Sequence, residues 1–332
     1  MQPSPLPPVP RLTTHLALRQ DASKLLEIVH NSRVNSAVFS PDGSYIVTGC
    51  DDGTIQQWRT RDGKKMGTTM KADGSVLVVA ISSDGKWIVS GGLDCKVTVW
   101  DAKTQQRAVE STLADEKWVN TLDVSPGSTR FASASSDCTV NIWSVTTGQR
   151  LVRPLRHDGR VECVAFSPDG DQVATAGAYD YLRIWDSRDG DLLVEVPGFF
   201  PESLVWWHED RIFASTQSTQ QWKWIDALSG SILLELPRIG DTATKACLAV
   251  SRNRNFLAGL EKHILRFWDH TTHAWSDATH PLGYNGCTIA ISPDSCHLVT
   301  GGEDRISIWS LPGGVPEDAS HVSISFLDYF VN

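Results

Sequence analysis

The sequence predicts an all-β fold, a seven-bladed β-propeller of four-stranded antiparallel blades, closed by an N-terminal strand that completes the last blade. Three observations predict it. A segment closing on Trp recurs along the chain. The steps between successive closing positions are 42, 43, 42, 40, 43 and 41 residues. Each copy contains three short β-patterned runs with turn residues between them, and a fourth run follows. A fixed period of about 40–45 residues with four strands per unit is the signature of a propeller.

The copies are explicit. VNSAVFSPDGSYIVTGCDDGTIQQW begins at Val34, VLVVAISSDGKWIVSGGLDCKVTVW at Val76, and VNTLDVSPGSTRFASASSDCTVNIW at Val119. VECVAFSPDGDQVATAGAYDYLRIW begins at Val161, and CTIAISPDSCHLVTGGEDRISIW at Cys287. The closing Trp residues are Trp58, Trp100, Trp143, Trp185, Trp268 and Trp309. A worn copy, RIFASTQSTQQWKWIDALSG, places Ile225 at the Trp position. In the fourth unit residues 161–166 alternate, SPDG turns, QVATAG returns, AYD turns tightly, YLRIWD is the third strand and DLLVEV the fourth. Pro presets one turn dihedral and Gly tolerates positive φ, so SPDG reads as a turn. After Trp309 the chain runs SLPGGVPEDAS, a loop and not a strand. KLLEIVHNSRV ahead of the first unit matches LVRPLRHDGRV ahead of the fourth. Residues 25–29 are therefore expected to supply the missing outer strand of the last blade, since an open array leaves sheet edges bare.

Composition sets limits. Of 332 residues 41% are hydrophobic, and the formal charge is −9. Lys and Arg form no runs, so no direct nucleic-acid contact is expected. The seven Cys are odd in number and never at CxxC spacing, which argues against a disulfide framework or a metal site and for a cytoplasmic or nuclear setting. The start, MQPSPLPPVPR, has no apolar core of a signal peptide, and no apolar run is long enough to span a membrane. Expected boundaries are a Pro-rich segment 1–21, a propeller 22–311 and a tail 312–332, whose HVSISFLDYFVN matches no repeat.

These units resemble the WD-repeat family of propellers over residues 22–311. The resemblance implies a hydrogen-bonded tetrad in each blade: His before the first strand, Ser or Thr on the second, Asp in the next turn, Trp on the third. Carried over, the first unit gives His30, Thr48, Asp52 and Trp58, and the fourth gives His157, Thr175, Asp180 and Trp185. The second keeps Ser90, Asp94 and Trp100, with Ala72 in place of His. The third keeps Ser133, Asp137 and Trp143, with Asp115 in that place. The seventh keeps Thr300, Asp304 and Trp309. The sixth has Asp241, Ala258 and Lys262 where the polar members belong, and the fifth keeps Ser215. Blades 5 and 6 are thus expected to hold the fewest polar ties and to be the least rigid. The His–Ser/Thr–Asp sets resemble a hydrolase triad in composition. Their recurrence in several units suits a structural tie, and no catalytic motif accompanies them. No cofactor is expected, and an enzyme built on a propeller is the remotest reading.

The resemblance further implies partner binding on the top face, at positions just before each first strand and just before each tight-turn Asp. The first set is Arg33, Ser75, Trp118, Arg160, Thr244 and Asn285. The second is Asp51, Leu93, Ser136, Tyr179 and Glu303. Arg33, Arg160, Trp118 and Tyr179 suggest a basic and aromatic patch for acidic protein segments. The expected function is a non-catalytic protein-interaction scaffold, a monomeric propeller within larger complexes. An alternative reading takes Trp185, Asp186 and Arg188 as the Trp-Asp-x-Arg box by which some propellers dock on a cullin-RING ubiquitin ligase. In that reading Arg188 has no structural duty. Trp206, Trp207, Trp222 and Trp224 in the worn fifth unit read as core filling, or as an apolar docking patch.

Overall fold

The structure, a computed structural model, describes residues 22–109, 113–177, 180–216, 221–237, 246–251, 257–261, 263–269, 274–276 and 279–311. The expected flanking segments 1–21 and 312–332 lie outside the described residues, as do Tyr179, Asp241, Thr244 and Lys262. Among the described residues there is no helix.

Seven antiparallel sheets follow the seven copies. Blade 1 is Val34–Phe39, Tyr45–Cys50, Thr54–Arg59 and Lys65–Lys71, bonded in that order. Blade 4 is Val161–Phe166, Gln172–Gly177, Asp180–Asp186 and Leu192–Val196. Blade 5 is Ser203–His208, Arg211–Thr216, Gln221–Asp226 and Ile232–Pro237. Among the described residues, the outer strands of blades 2 and 3 are Leu113–Ala114 and Leu155–Arg156. In blade 6 Ala274–Trp275 and His280–Pro281 both pair with Ile264–Asp269. Blade 7 contains Gly286–Ile291, His297–Gly302 and Arg305–Ser310. Ser23–Val29 lies antiparallel beside its third strand, with Ile28 opposite Ile306 and Leu26 opposite Ile308.

The core lies between blades. Second strands such as Tyr45–Cys50, Trp87–Gly92 and Gln172–Gly177 are buried at every position but the first, because a neighbouring blade covers each face. That is why these strands read as continuous apolar and small residues, not as an alternation. Gly near their ends has a packing reason. A Cβ on Gly49 would fall 2.6 Å from Val76 Cγ1, and one on Gly91 2.6 Å from Val119 Cγ1. The first Val of each next blade seats in that space. The Ser-Pro-Asp-Gly turns close on themselves: Ser40 Oγ donates to Asp42 Oδ1 at 2.6 Å and accepts from Tyr45 N at 3.1 Å. Ser82, Ser167 and Ser292 repeat the bond to Asp84, Asp169 and Asp294.

Register corrects two assignments. In blades 1 to 4 the hydroxyl residue lies 10 residues before the closing Trp. The hairpin between second and third strands is one residue longer in blade 5, so Ala214, opposite Lys223, takes that position and not Ser215. It is one residue shorter in blade 6, where Gly259, opposite Arg266, takes it and not Ala258.

Candidate functional site

The indole N–H of the closing Trp needs an acceptor once buried, and the second strand supplies it. Trp58, Trp100, Trp143 and Trp185 donate to Thr48, Ser90, Ser133 and Thr175 at 2.9, 2.9, 2.9 and 2.7 Å. In blade 4 His157 Nε2 lies 2.9 Å from Thr175 Oγ1, extending the chain to a third member. Asp180 is on the third strand; its side chain lies outside what the structure describes.

The first-unit set departs from a closed tetrad. His30 Nε2 lies 3.5 Å from Cys50 Sγ, and its Nδ1 accepts from Ser32 N at 3.3 Å. Asp52 accepts from its own turn, from Thr54 N and Oγ1. His30 is thus half-buried at the blade edge, ring-edge against Trp58, and not in the hydroxyl chain. Burial lowers its pKa, while Asp52 pulls the other way. Cys50, fully buried, has its thiol pushed up to about 12 by desolvation, with minor lowering by Thr54. Next to His it has the composition of a nucleophile pair but stays a thiol.

Other residues stand in for the missing His. In blade 7 Tyr284 places its hydroxyl 2.8 Å from Thr300 Oγ1, which also accepts from Trp309 at 3.1 Å. In blade 3 Asp115 is 6% exposed and accepts from Asn141 Nδ2 at 2.5 Å. Its other oxygen, Oδ2, has no hydrogen-bond partner among the described residues. Burial pushes its pKa up to about 6, against the hydrogen bond from Asn141.

Blade 5 replaces the tetrad with two devices. Lys223, 7% exposed, pairs with Glu235 on the outer strand at 2.7 Å. Arg183 and Glu195 make the same cross-strand pair in blade 4, also at 2.7 Å. Blade 5 therefore has a polar tie that the sequence reading missed. The second device is aromatic. Phe213 stacks on Trp222 at 5.5 Å, and Trp224, Trp268 and Trp275 close around them. Trp206 is buried and donates to Ala165 O of blade 4 at 3.1 Å.

The top-face positions meet in pairs. Backbone bonds join Asp51 N to Arg33 O, Leu93 N to Ser75 O, and Ser136 N to Trp118 O, each at 2.9 Å. Asn285 Nδ2 donates to Glu303 Oε1 at 2.8 Å. Ser75 Oγ reaches across to Asp51 at 2.7 Å, and this bond, with that from Asn35, lowers the Asp51 pKa. Arg33 is exposed. Arg160 is engaged by Glu162 at 2.8 Å. Leu93 and Trp118 are 39% and 54% exposed. Below this rim, Asn35 and Asn120 donate to Val76 O and Val161 O of the next blade at 3.0 and 2.8 Å, and Cys287 does the same to Val34 O at 2.9 Å. The recurring Val-Asn doublet was the available signal for these links.

The Trp185-Asp186-x-Arg188 run lies at the opposite end of the strands. Asp186 accepts from Arg188 N at 2.7 Å, and the Arg188 guanidinium is 2.5 Å from Asp171. Arg188, its side chain 67% exposed, thus meets the neighbouring turn only through a surface ion pair, which contributes little to stability. Ser187, 1% exposed, receives Arg130 of blade 3 at 2.9 Å.

Among the described residues no cluster of His, Cys, Asp and Glu could hold a metal ion. The fold is that of a seven-bladed propeller. The family model for the WD domain, G-beta repeat matches residues 23–59, 64–101, 108–144, 149–186 and 281–310, over half of the chain. The chain belongs to this WD40 family, whose members are generally non-catalytic scaffolds. Cilia- and flagella-associated protein 52 of Mus musculus is 26% identical over 303 residues, covering 87% of this chain and 41% of that protein. Pre-mRNA-processing factor 17 of Homo sapiens is 26% identical, over 68% of this chain and 41% of its own length. The chain thus spans about two fifths of these relatives. The WD40 β-propeller domain of Doa1 superposes with a TM-score of 0.74 at 16% identity, covering 87% of this chain and 97% of that one, which speaks to the fold alone.

Proposed function

We propose that this chain is a non-catalytic protein-interaction scaffold, binding partner proteins or peptides on the top face and rim of its propeller. The single observation that carries the reading is Trp118. Of thirteen Trp, it alone is exposed, at 54%, and it stands on the top-face rim. Exposed aromatic side chains on rigid supports are favoured interface anchors. The propeller is taken as residues 22–311, a monomer within larger complexes, in a cytoplasmic or nuclear setting, with 1–21 and 312–332 as flanking segments. An acidic partner segment would need Arg33 and Arg160 together, and Arg160 is already paired with Glu162.

The test is capture of partners from a cell lysate, read by mass spectrometry. Trp118→Ala with Arg160→Glu is expected to lose them at an unchanged melting temperature. Retention of every partner would sink the top-face reading. Recovery of a ubiquitin-ligase adaptor that is lost on Arg188→Ala would instead favour the ligase-receptor reading.

A further inference from the structure

We infer that the top-face boundary between blades 2 and 3 docks a basic segment of a partner protein, with a Lys or Arg side chain laid on the Trp118 indole. This inference rests on the top-face reading and gives the partner a charge.

The geometry begins beneath the surface. Gly91 backs onto Val119. Their exposed neighbours Leu93 and Trp118 therefore rise at the same blade boundary, the only exposed large apolar side chains among the described residues of these two blades' top-face loops. The Trp118 backbone is pinned by Ser136 N at 2.9 Å, so the indole is presented from a fixed base.

Carboxylates lie on the same loops. Glu116 N donates to Asp137 Oδ2 at 3.0 Å, and Asp115 N donates to Cys95 O at 3.0 Å, beside Asp94. The charges of Asp94, Asp115 and Asp137 all bear on Cys95, so the three gather around one turn. Asp94, Glu116 and Asp137 have no ion-pair partner among the described residues, whereas Asp73 nearby is held by Lys96 and Arg107. Lys117 is the one cation in this loop. Beneath them Asp115, 6% exposed, keeps one carboxylate oxygen without a partner. An exposed indole on loops whose carboxylates Asp94, Glu116 and Asp137 lack an ion-pair partner among the described residues complements a cation with an apolar stem: the carboxylates meet the charge and the ring face takes the cation. An acidic segment would meet like charge on these loops.

The probe is a pair of labelled synthetic peptides of equal length. One carries Lys and Arg in a Gly-Ser background, and the other carries Asp and Glu at the same positions. Fluorescence anisotropy with the full chain at physiological ionic strength is expected to show binding of the basic peptide alone. Trp118→Ala, which leaves net charge unchanged, should weaken it about fivefold or more, and Trp118→Phe should restore part of the loss. Glu116→Gln, at unchanged melting temperature, should weaken it as well. Equal or tighter binding of the acidic peptide overturns the inference. So does binding of the basic peptide that Trp118→Ala leaves untouched, since that is attraction to the acidic surface at large. Lysate capture by the Trp118→Ala chain separates the two ideas. Loss of partners there, without basic-peptide binding, removes the charge assignment and leaves the top-face reading in place. Retention of partners removes both.

Discussion

Removing the Glu235 carboxylate leaves a lysine charge stranded inside blade 5. The Lys223 side chain is 9% exposed and its ammonium lies 2.7 Å from Glu235, which is itself 46% exposed. Lys223 Nζ also sits 5.1 Å from the centre of the Phe199 ring, so its surroundings are largely apolar. Breaking a fully buried pair costs about 3–5 kcal/mol, mostly from the uncompensated charge left behind. Here one partner is half in water, which screens the attraction, so Glu235→Ala is expected to cost about 2 kcal/mol. Replacing both residues, Lys223→Met with Glu235→Leu, removes the stranded charge and should cost less than the single change. The assay is urea denaturation of the four corners of this double-mutant cycle. A loss below about 0.5 kcal/mol for Glu235→Ala, or equal losses for single and double variants, would refute the argument that the buried ammonium depends on its partner.

Three further outcomes are expected. Tyr284→Phe deletes the hydroxyl that reaches Thr300, and should cost about 1–2 kcal/mol by the urea midpoint; an unchanged midpoint would show that Trp309 alone suffices for that chain. Deleting residues 1–30 removes the strand beside Arg305–Ser310 and uncovers Ile306 and Ile308, both buried. Ile28 and the ladder bonds together are worth on the order of 5 kcal/mol, so melting should fall by roughly 10 °C, while deletion of 1–21 should change little. Equal melting of both truncations would remove the strand's role in closure. Asp115 titrates at about 6 in the folded chain because it is buried, against about 3.9 in an unfolded one. The folded state therefore holds that proton more tightly. This contribution to stability is present below pH 4 and is lost as pH rises through 6. Asp115→Asn should gain on the order of 2 kcal/mol at pH 8 and nothing near pH 4; a pH-independent difference would contradict the buried acid.

The blades were legible because their signals are periodic. Trp at the close of the third strand, Gly where the next Val seats and Ser-Pro-Asp-Gly at the first turn recur at near-constant spacing, and each has a local physical reason. Counting from the Trp failed where hairpin length changed, which is how Ser215 and Ala258 were placed one residue away from Ala214 and Gly259. Functional equivalence across different residue types was also hidden. A tyrosine two positions beyond the His site supplies the hydroxyl contact in blade 7, and a Lys–Glu pair takes over in blade 5. Those substitutions depend on side-chain reach, which sequence spacing does not encode. On the rim, sequence spacing marked positions beside the strand ends but not their pairing. Arg160 looked unattached until Glu162 came beside it, and so, at the opposite end of the strands, did Arg188 until Asp171 did.

The edge contact between the two ends of the chain also sets a timetable. Ser23 and Ser310, hydrogen-bonded at 2.7 Å, are 287 residues apart. At about 5–20 residues per second of synthesis, the first strand leaves the ribosome on the order of 15–60 s before its partner exists. During that interval Leu25, Leu26 and Ile28 have no sheet to join, while blades 1 to 6 each meet their neighbour within one repeat of chain. The last blade is thus the one whose assembly waits until all the other blades have been made, and the interval before it closes is when a nascent propeller of this kind most needs a chaperone.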